Sequence, residues 1–458
     1  MENKLERKYG LFTAICMVVG IVIGSGVFFK AQAILEKTGG NMPLGIVAWV
    51  IGGAIMMVCL LTFSFMSQKY EKVGGVVDYA EATVGKRYGY YMGWFVATVY
   101  FPAMTSVLCW VTAHYTLDFV ASVNPQWAPI DSTGPVGIAL SLAIMGLSFA
   151  VNVLSPKLAG KLQTGTTVIK LIPLVLMAVV GILYGLINGT LASNFQTNAI
   201  VARTVSANPL FVAVCSTAFA YEGWIIATSI NAEIKDSKKN LPRALIIGGS
   251  IIAAVYLLYY IGVAGGATNQ QLIEQGTTVA FLHVFGNAFG NVLKLFVAIS
   301  CFGTVNGLML ACSRGMYAIA ARGEGPCPRV FGRLNAKTNM PHASALVGLL
   351  LVIGWFAYYY LANLASVWSG PFVFDSSELP IITIYLMYLP ILIQWMRKEK
   401  EQSPMRRFVF PLLALCGSVF MIVASVFSHG QSCLWYLMIF AVIMLAGGLL
   451  NRTPKNAQ

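Results

Sequence analysis

Apolar residues in this chain gather into long unbroken runs, not into the one-face or alternating patterns of a water-soluble core. The runs fall near 11–35, 43–66, 89–121, 134–153, 164–188, 207–232, 243–266, 288–320, 342–366, 379–396, 408–428 and 432–450. A helix needs about 17–25 predominantly apolar residues to cross a bilayer, so the pattern predicts about twelve transmembrane helices. The first run is interrupted halfway by Gly20, Gly24, Ser25 and Gly26, all weak helix formers. In lipid each freed backbone N–H or C=O group costs several kcal/mol, so a break at that depth must face protein, water or a ligand. Amides freed at the start of the second half-helix would attract a carboxylate, because the positive end of the helix dipole points there. The same residues also suit a close helix-packing surface, and the run alone leaves both readings open.

The sixth run repeats the interruption. Cys215-Ser216-Thr217-Ala218-Phe219-Ala220-Tyr221-Glu222-Gly223-Trp224 places small and polar residues at its centre, and Glu222 is the acidic residue deep within a predicted span. An intramembrane carboxylate marks a functional site by default. The first run of each half is thus interrupted at mid-depth, so runs one to five and six to ten read as two inverted repeats. The expected units are residues 1–190, residues 205–398, and an accessory pair of helices with a tail over 405–458.

Composition agrees with a polytopic membrane protein: 57% of the 458 residues are hydrophobic and 10% charged, against about 25% charged in soluble domains. The net charge of +13 does not point to nucleic acid, because of where the cations sit. All lysines and arginines except Lys30, Lys37, Lys170, Arg203 and Lys294 fall on alternate connecting segments. That bias places both termini in the cytoplasm. The nine cysteines are scattered, with no paired spacing suited to a metal site or disulfide framework. The first run is too long for a cleavable signal peptide and lacks a small-residue cleavage site.

Other residues stand out individually. Pro102 predicts a kink in the third helix, and Tyr100 before it can present a hydroxyl to a cavity or simply pack. His114 reads as an interfacial residue. Lys170, about two turns into the fifth helix, must snorkel or pair. The segment from Gln68 to Tyr91 reads as lying along the cytoplasmic surface.

In their order and spacing, Ile23-Gly24-Ser25-Gly26-Val27-Phe28, Thr38-Gly39-Gly40, Phe219-Ala220-Tyr221-Glu222-Gly223-Trp224, Asn240-Leu241-Pro242-Arg243 and the Asn306-Gly307 to Ala318 stretch resemble the amino acid–polyamine–organocation superfamily. Within it the resemblance is to the L-type amino-acid transporters and their bacterial relatives, over nearly the whole chain. It implies an all-α integral membrane fold, a five-plus-five inverted repeat (LeuT-like) with two extra C-terminal helices and helices one and six discontinuous. It implies a sodium-independent amino-acid transporter of the cytoplasmic membrane, working by alternating access as an exchanger.

By that resemblance Val22, Gly24, Ser25, Gly26, Val27, Phe219, Ala220 and Glu222 form the substrate site. Amides at Ser25 and Gly26, with the Ser25 hydroxyl, would hold the carboxylate; carbonyls of Val22, Phe219 and Ala220 would take the ammonium group. Phe219, with Tyr100, would form the gate. Lys170 would stand in for the sodium of sodium-coupled relatives, tying the first helix to the eighth near Ser300. Glu222 departs from many L-type members, which carry a small residue there; it would pair with a cationic side chain, carry a proton or bond a small polar side chain. No cofactor or metal is implied. The outer loop Val123–Thr133 lacks a cysteine, so no disulfide-linked heavy chain is expected. Beside the exchanger stand a proton-coupled symporter and a non-transporting sensor or channel. An enzyme reading lacks a nucleophile–base pair, metal cluster or cofactor motif, and no GxxxxGK[ST] stretch supports ATP drive.

Overall fold

The computed structural model describes residues 10–24, 26–70, 75–124, 126, 131–196, 208–227 and 234–451. Helices dominate because an isolated apolar segment in lipid can satisfy its own backbone only as a helix. The first run forms α1 (Leu11–Val22) and α2 (Gly26–Lys37), which meet at a 45° bend. α3 (Met42–Lys69) starts from Asn41, whose side chain accepts from the Leu44 amide, a standard N-cap. The short α4 (Val76–Thr83) precedes the third run: α5 (Lys86–Phe95), a π-helical turn at Val96–Tyr100 and α6 (Phe101–Val123). The distortion predicted at Pro102 takes the form of this wide turn, which absorbs the hydrogen bond that proline cannot donate.

α7 (Pro135–Leu154) is followed by α8 (Pro156–Leu176), a second π-helical turn at Met177–Gly181, α9 (Ile182–Ile187) and the short α10 (Thr190–Asn194). The sixth run gives α11 (Pro209–Tyr221) and α12 (Trp224–Ala227). α13 (Ser237–Gly266), α14 (Asn269–Gln275) and α15 (Thr278–Ala320) come next, the last kinked at Gly286, whose φ is 72°. The chain closes with α16 (Pro328–Phe331), α17 (His342–Tyr359), α18 (Leu379–Lys398), α19 (Phe410–His429) and α20 (Ser432–Leu450).

Among the described residues ten helices are long and apolar enough to cross a membrane; the bent α1–α2 pair makes one more, and α11 is a shorter apolar helix. Their positions match the twelve runs. α15 packs against α6, α8 and α17, while α13 lies between α3 and α1. α2 lies along α11 and α1 meets α12, so each half of one broken helix has a half of the other beside it. α20 sits at the periphery with Leu434, Leu437, Leu445 and Leu449 exposed, an apolar face suited to lipid.

Candidate functional site

Both interruptions are real breaks. α1 stops at Val22, Ile23 turns extended (φ −69°, ψ 110°), and helix resumes at Gly26. Ser25 lies outside the described residues. α11 stops at Tyr221, Glu222 is extended (φ −82°, ψ 166°), and Gly223 takes φ 100° before α12 begins. That dihedral suits glycine because a Cβ would collide with the backbone. The two breaks abut: a Cβ added at Gly26 would lie 2.7 Å from the Ala220 Cα and 3.2 Å from the Phe219 carbonyl oxygen. The amino end of α2 therefore faces the carboxyl end of α11. Donors freed at one and carbonyls freed at the other meet within a few ångströms.

A narrow, nearly closed cleft of about 20 Å³ lies here, with Ile21, Val22, Gly24, Gly26, Phe219, Glu222 and Gly223 from the breaks in its wall. Met104, Leu108, Thr304 and Leu308 from α6 and α15 complete it. One side thus presents polar backbone and the other mainly apolar side chains. Val27 and Ala220 are buried just behind the wall.

Three side chains hold the breaks in place. The Tyr256 hydroxyl donates to the Val22 carbonyl at 3.0 Å. The Lys170 ammonium donates to the Gly20 carbonyl at 2.7 Å and to Thr304 Oγ1 at 3.1 Å, joining α8 to both α1 and α15. Lys170 is fully buried, so it pairs and does not snorkel. Its partner on α15 is Thr304, one turn beyond the expected Ser300; the Ser300 hydroxyl is buried with no hydrogen-bond partner among the described residues. The third is Tyr100, whose hydroxyl donates to Glu222 Oε1. Glu222 Oε2 has no hydrogen-bond partner among the described residues. Tyr100 thus reaches the cleft through Glu222 and is not itself in the wall.

Phe219 lines the cleft. Its ring meets Phe29 edge-on at 6.1 Å between centroids, and the Lys30 ammonium lies 5.2 Å from the Phe219 centroid. Beyond it stands a polar cluster that the sequence did not reveal. Glu378, just before α18, is buried; its Oε1 accepts from Lys30 at 2.7 Å, Lys37 at 3.3 Å and Ser216 at 2.9 Å. Its Oε2 lies 3.1 Å from His429 Nε2 and 3.6 Å from Cys215 Sγ. One carboxylate thereby links α2 and α11 to α18 and α19. Ligand atoms of Cys215, Glu378 and His429 lie within 4.8 Å of one another, yet the two ammonium groups on the same carboxylate make this an ion-pair hub and a poor cation site.

Of the residues singled out from sequence, Val22, Gly24, Gly26, Phe219 and Glu222 come together, and Lys170 sits directly behind them. His114 packs against Trp110 and contacts Ser132 at 3.0 Å. Sequence reading missed Tyr256 and Glu378, which carry no motif. Glu378 could have been sought as the counter-charge required by Lys30 and Lys37.

Comparison with known proteins agrees with this geometry. A family profile described as amino acid permease matches residues 9–449. The serine/threonine exchanger SteT of Bacillus subtilis (strain 168) is 27% identical over 94% of this chain and 94% of its own length. Asc-type amino acid transporter 1 of Homo sapiens is 26% identical over 94% of this chain and 79% of its own. The b(0,+)-type amino acid transporter 1 of Mus musculus is 25% identical over 98% of this chain and 88% of its own. With nearly its whole length matched and its helices broken around a central cleft, this chain belongs to the amino acid permease family.

Proposed function

We propose that this permease is a sodium-independent amino-acid exchanger of the cytoplasmic membrane, working by alternating access between two inverted five-helix repeats with both termini in the cytoplasm. The observation that carries this reading is the meeting of the α2 amino end with the α11 carboxyl end in one cleft. A zwitterion needs donors for its carboxylate and acceptors for its ammonium group, and opposed half-helix ends supply both. Amides at Ser25 and Gly26 take the carboxylate; the Phe219 and Ala220 carbonyls take the ammonium group, and the Val22 carbonyl contributes while also accepting from Tyr256. The Phe219 ring shields the bound head from one side. Lys170 ties α1 to α15 through its own hydrogen bonds, which removes the need for sodium there.

The substrates are neutral amino acids with small side chains. The side-chain end of the cleft is lined by Met104, Leu108, Thr304 and Leu308, and Glu222 is already occupied on one oxygen by Tyr100. The name of one relative, a serine/threonine exchanger, supports that class. No covalent heavy chain is needed. The testing experiment is competition by the twenty amino acids against one labelled substrate in proteoliposomes, with and without internal amino acid. Small neutral competitors and acceleration by internal substrate are expected; equal uptake from empty and loaded vesicles would refute exchange. Glu222 Oε2, without a hydrogen-bond partner among the described residues, favours one second reading, proton-coupled symport, and an imposed proton gradient driving accumulation into empty vesicles would establish it.

A further inference from the structure

A second cleft, distant in character from the first, opens where α3, α13 and the start of α19 converge on the cation-rich end of the molecule. It has a volume of about 340 Å³ and is bordered by Lys238, Lys239 and Arg243 of α13 and by Arg406, just before α19. Lys239, Arg243 and Arg406 are exposed, and no acidic side chain borders the cleft among the described residues. Its floor is apolar: Phe65, Pro242 and Ile246. Arg406 is held over this floor, its guanidinium carbon 5.1 Å from the Phe65 centroid and its Nη1 donating to Gln68 at 3.4 Å. The Arg406 carbonyl accepts from Trp395 Nε1 at 3.1 Å, which fixes the backbone beneath it.

A cationic rim over an apolar floor, at the ends of membrane-spanning helices, suits a ligand that is anionic at one end and hydrocarbon at the other. We infer that this cleft binds the phosphate headgroup of an anionic phospholipid in the adjacent leaflet, with the first acyl carbons against Phe65 and Ile246. Basic pockets between transmembrane helices take such headgroups by charge and by exclusion of water. A soluble phosphate would use the cations and leave the apolar floor unfilled. The assignment needs the protein to be embedded in a bilayer and does not depend on which substrate it carries.

The test uses the full chain in proteoliposomes and reads quenching of its tryptophans by brominated phosphatidylglycerol and brominated phosphatidylcholine. Preferential quenching by the anionic lipid is expected for the unaltered protein, with salt reducing the preference. In Arg243→Gln/Arg406→Gln the preference falls about 30-fold, each cation near an anionic surface being worth roughly a factor of five. Arg243→Lys/Arg406→Lys retains most of it, as does Lys398→Gln/Lys400→Gln, whose exposed cations do not border the cleft. Absence of a preference in the unaltered protein would overturn the proposal even if the glutamine variant fails to fold. An equal loss in the Lys398/Lys400 variant would also overturn it, by assigning the effect to general surface charge. Displacement of the brominated lipid by inorganic phosphate alone would overturn the lipid as ligand in favour of the free ion.

Discussion

Glu222 stands in extended backbone between two helical pieces, with Tyr100 on one oxygen and a glycine behind it. An ordinary spanning helix would tolerate neither the carboxylate nor the positive-φ glycine, since both cost stability. Replacing Tyr100 by Phe leaves the carboxylate buried without its donor; a loss of about 1–3 kcal/mol is expected, measured as thermal stability in detergent. Glu222→Gln keeps an acceptor for Tyr100 and removes the charge. It is expected to change the order in which small neutral amino acids compete for uptake, or to flatten the pH profile of uptake. A variant unaltered in both would make Glu222 structural. Gly26→Leu is the sharpest test of the cleft, since its side chain would start 2.7 Å from the Ala220 Cα. Loss of substrate binding with normal membrane expression is expected, read by binding and by surface quantification.

Individual elements are held by polar contacts of buried and half-buried lysines that the distribution of cations foreshadowed. Lys30, Lys37, Lys170 and Lys294 fall outside the cation-rich connecting segments, and each has a built-in partner: Glu378 for the first two, Gly20 and Thr304 for the third, Asp118 at 3.1 Å for the last. Arg203, the fifth, lies outside the described residues. Lys170 binds α8 to the end of α1 without any ion. Uptake is therefore expected to be indifferent to replacing sodium by choline, and Lys170→Met to lose activity that sodium does not restore. Glu378 gathers α2, α11 and α19 at one end of the cleft. Its removal would leave two lysines uncompensated, a cost of about 3–5 kcal/mol for a buried pair. In a variant whose sole cysteine is Cys215, buried in the native protein, Glu378→Ala is expected to accelerate labelling by a thiol reagent added from outside. Unchanged labelling would place the hub apart from gating.

For the whole molecule, two broken helices lie side by side inside a frame that includes α6, α13 and α15. Rocking of such a pair against its frame exposes the same cleft to either side in turn. An exchanger built this way returns loaded more readily than empty, so internal amino acid is expected to raise the initial uptake rate several-fold. Vesicle flux measured with and without internal substrate checks this, and a channel would show no such dependence.

The number of spans and the sites of the two breaks were legible from the chain alone. Each depends on local properties: run length against bilayer thickness and glycine against helix. The family motifs added the lysine on the fifth helix and the residues that line the cleft. What only the folded molecule decided is how buried polar groups are satisfied. Tyr100 meets Glu222 across 122 residues and Lys30 meets Glu378 across 348. A charge in a low-dielectric interior demands a partner, so sequence announces the demand. Which distant residue answers it follows from the packing of helices and is written in no local pattern.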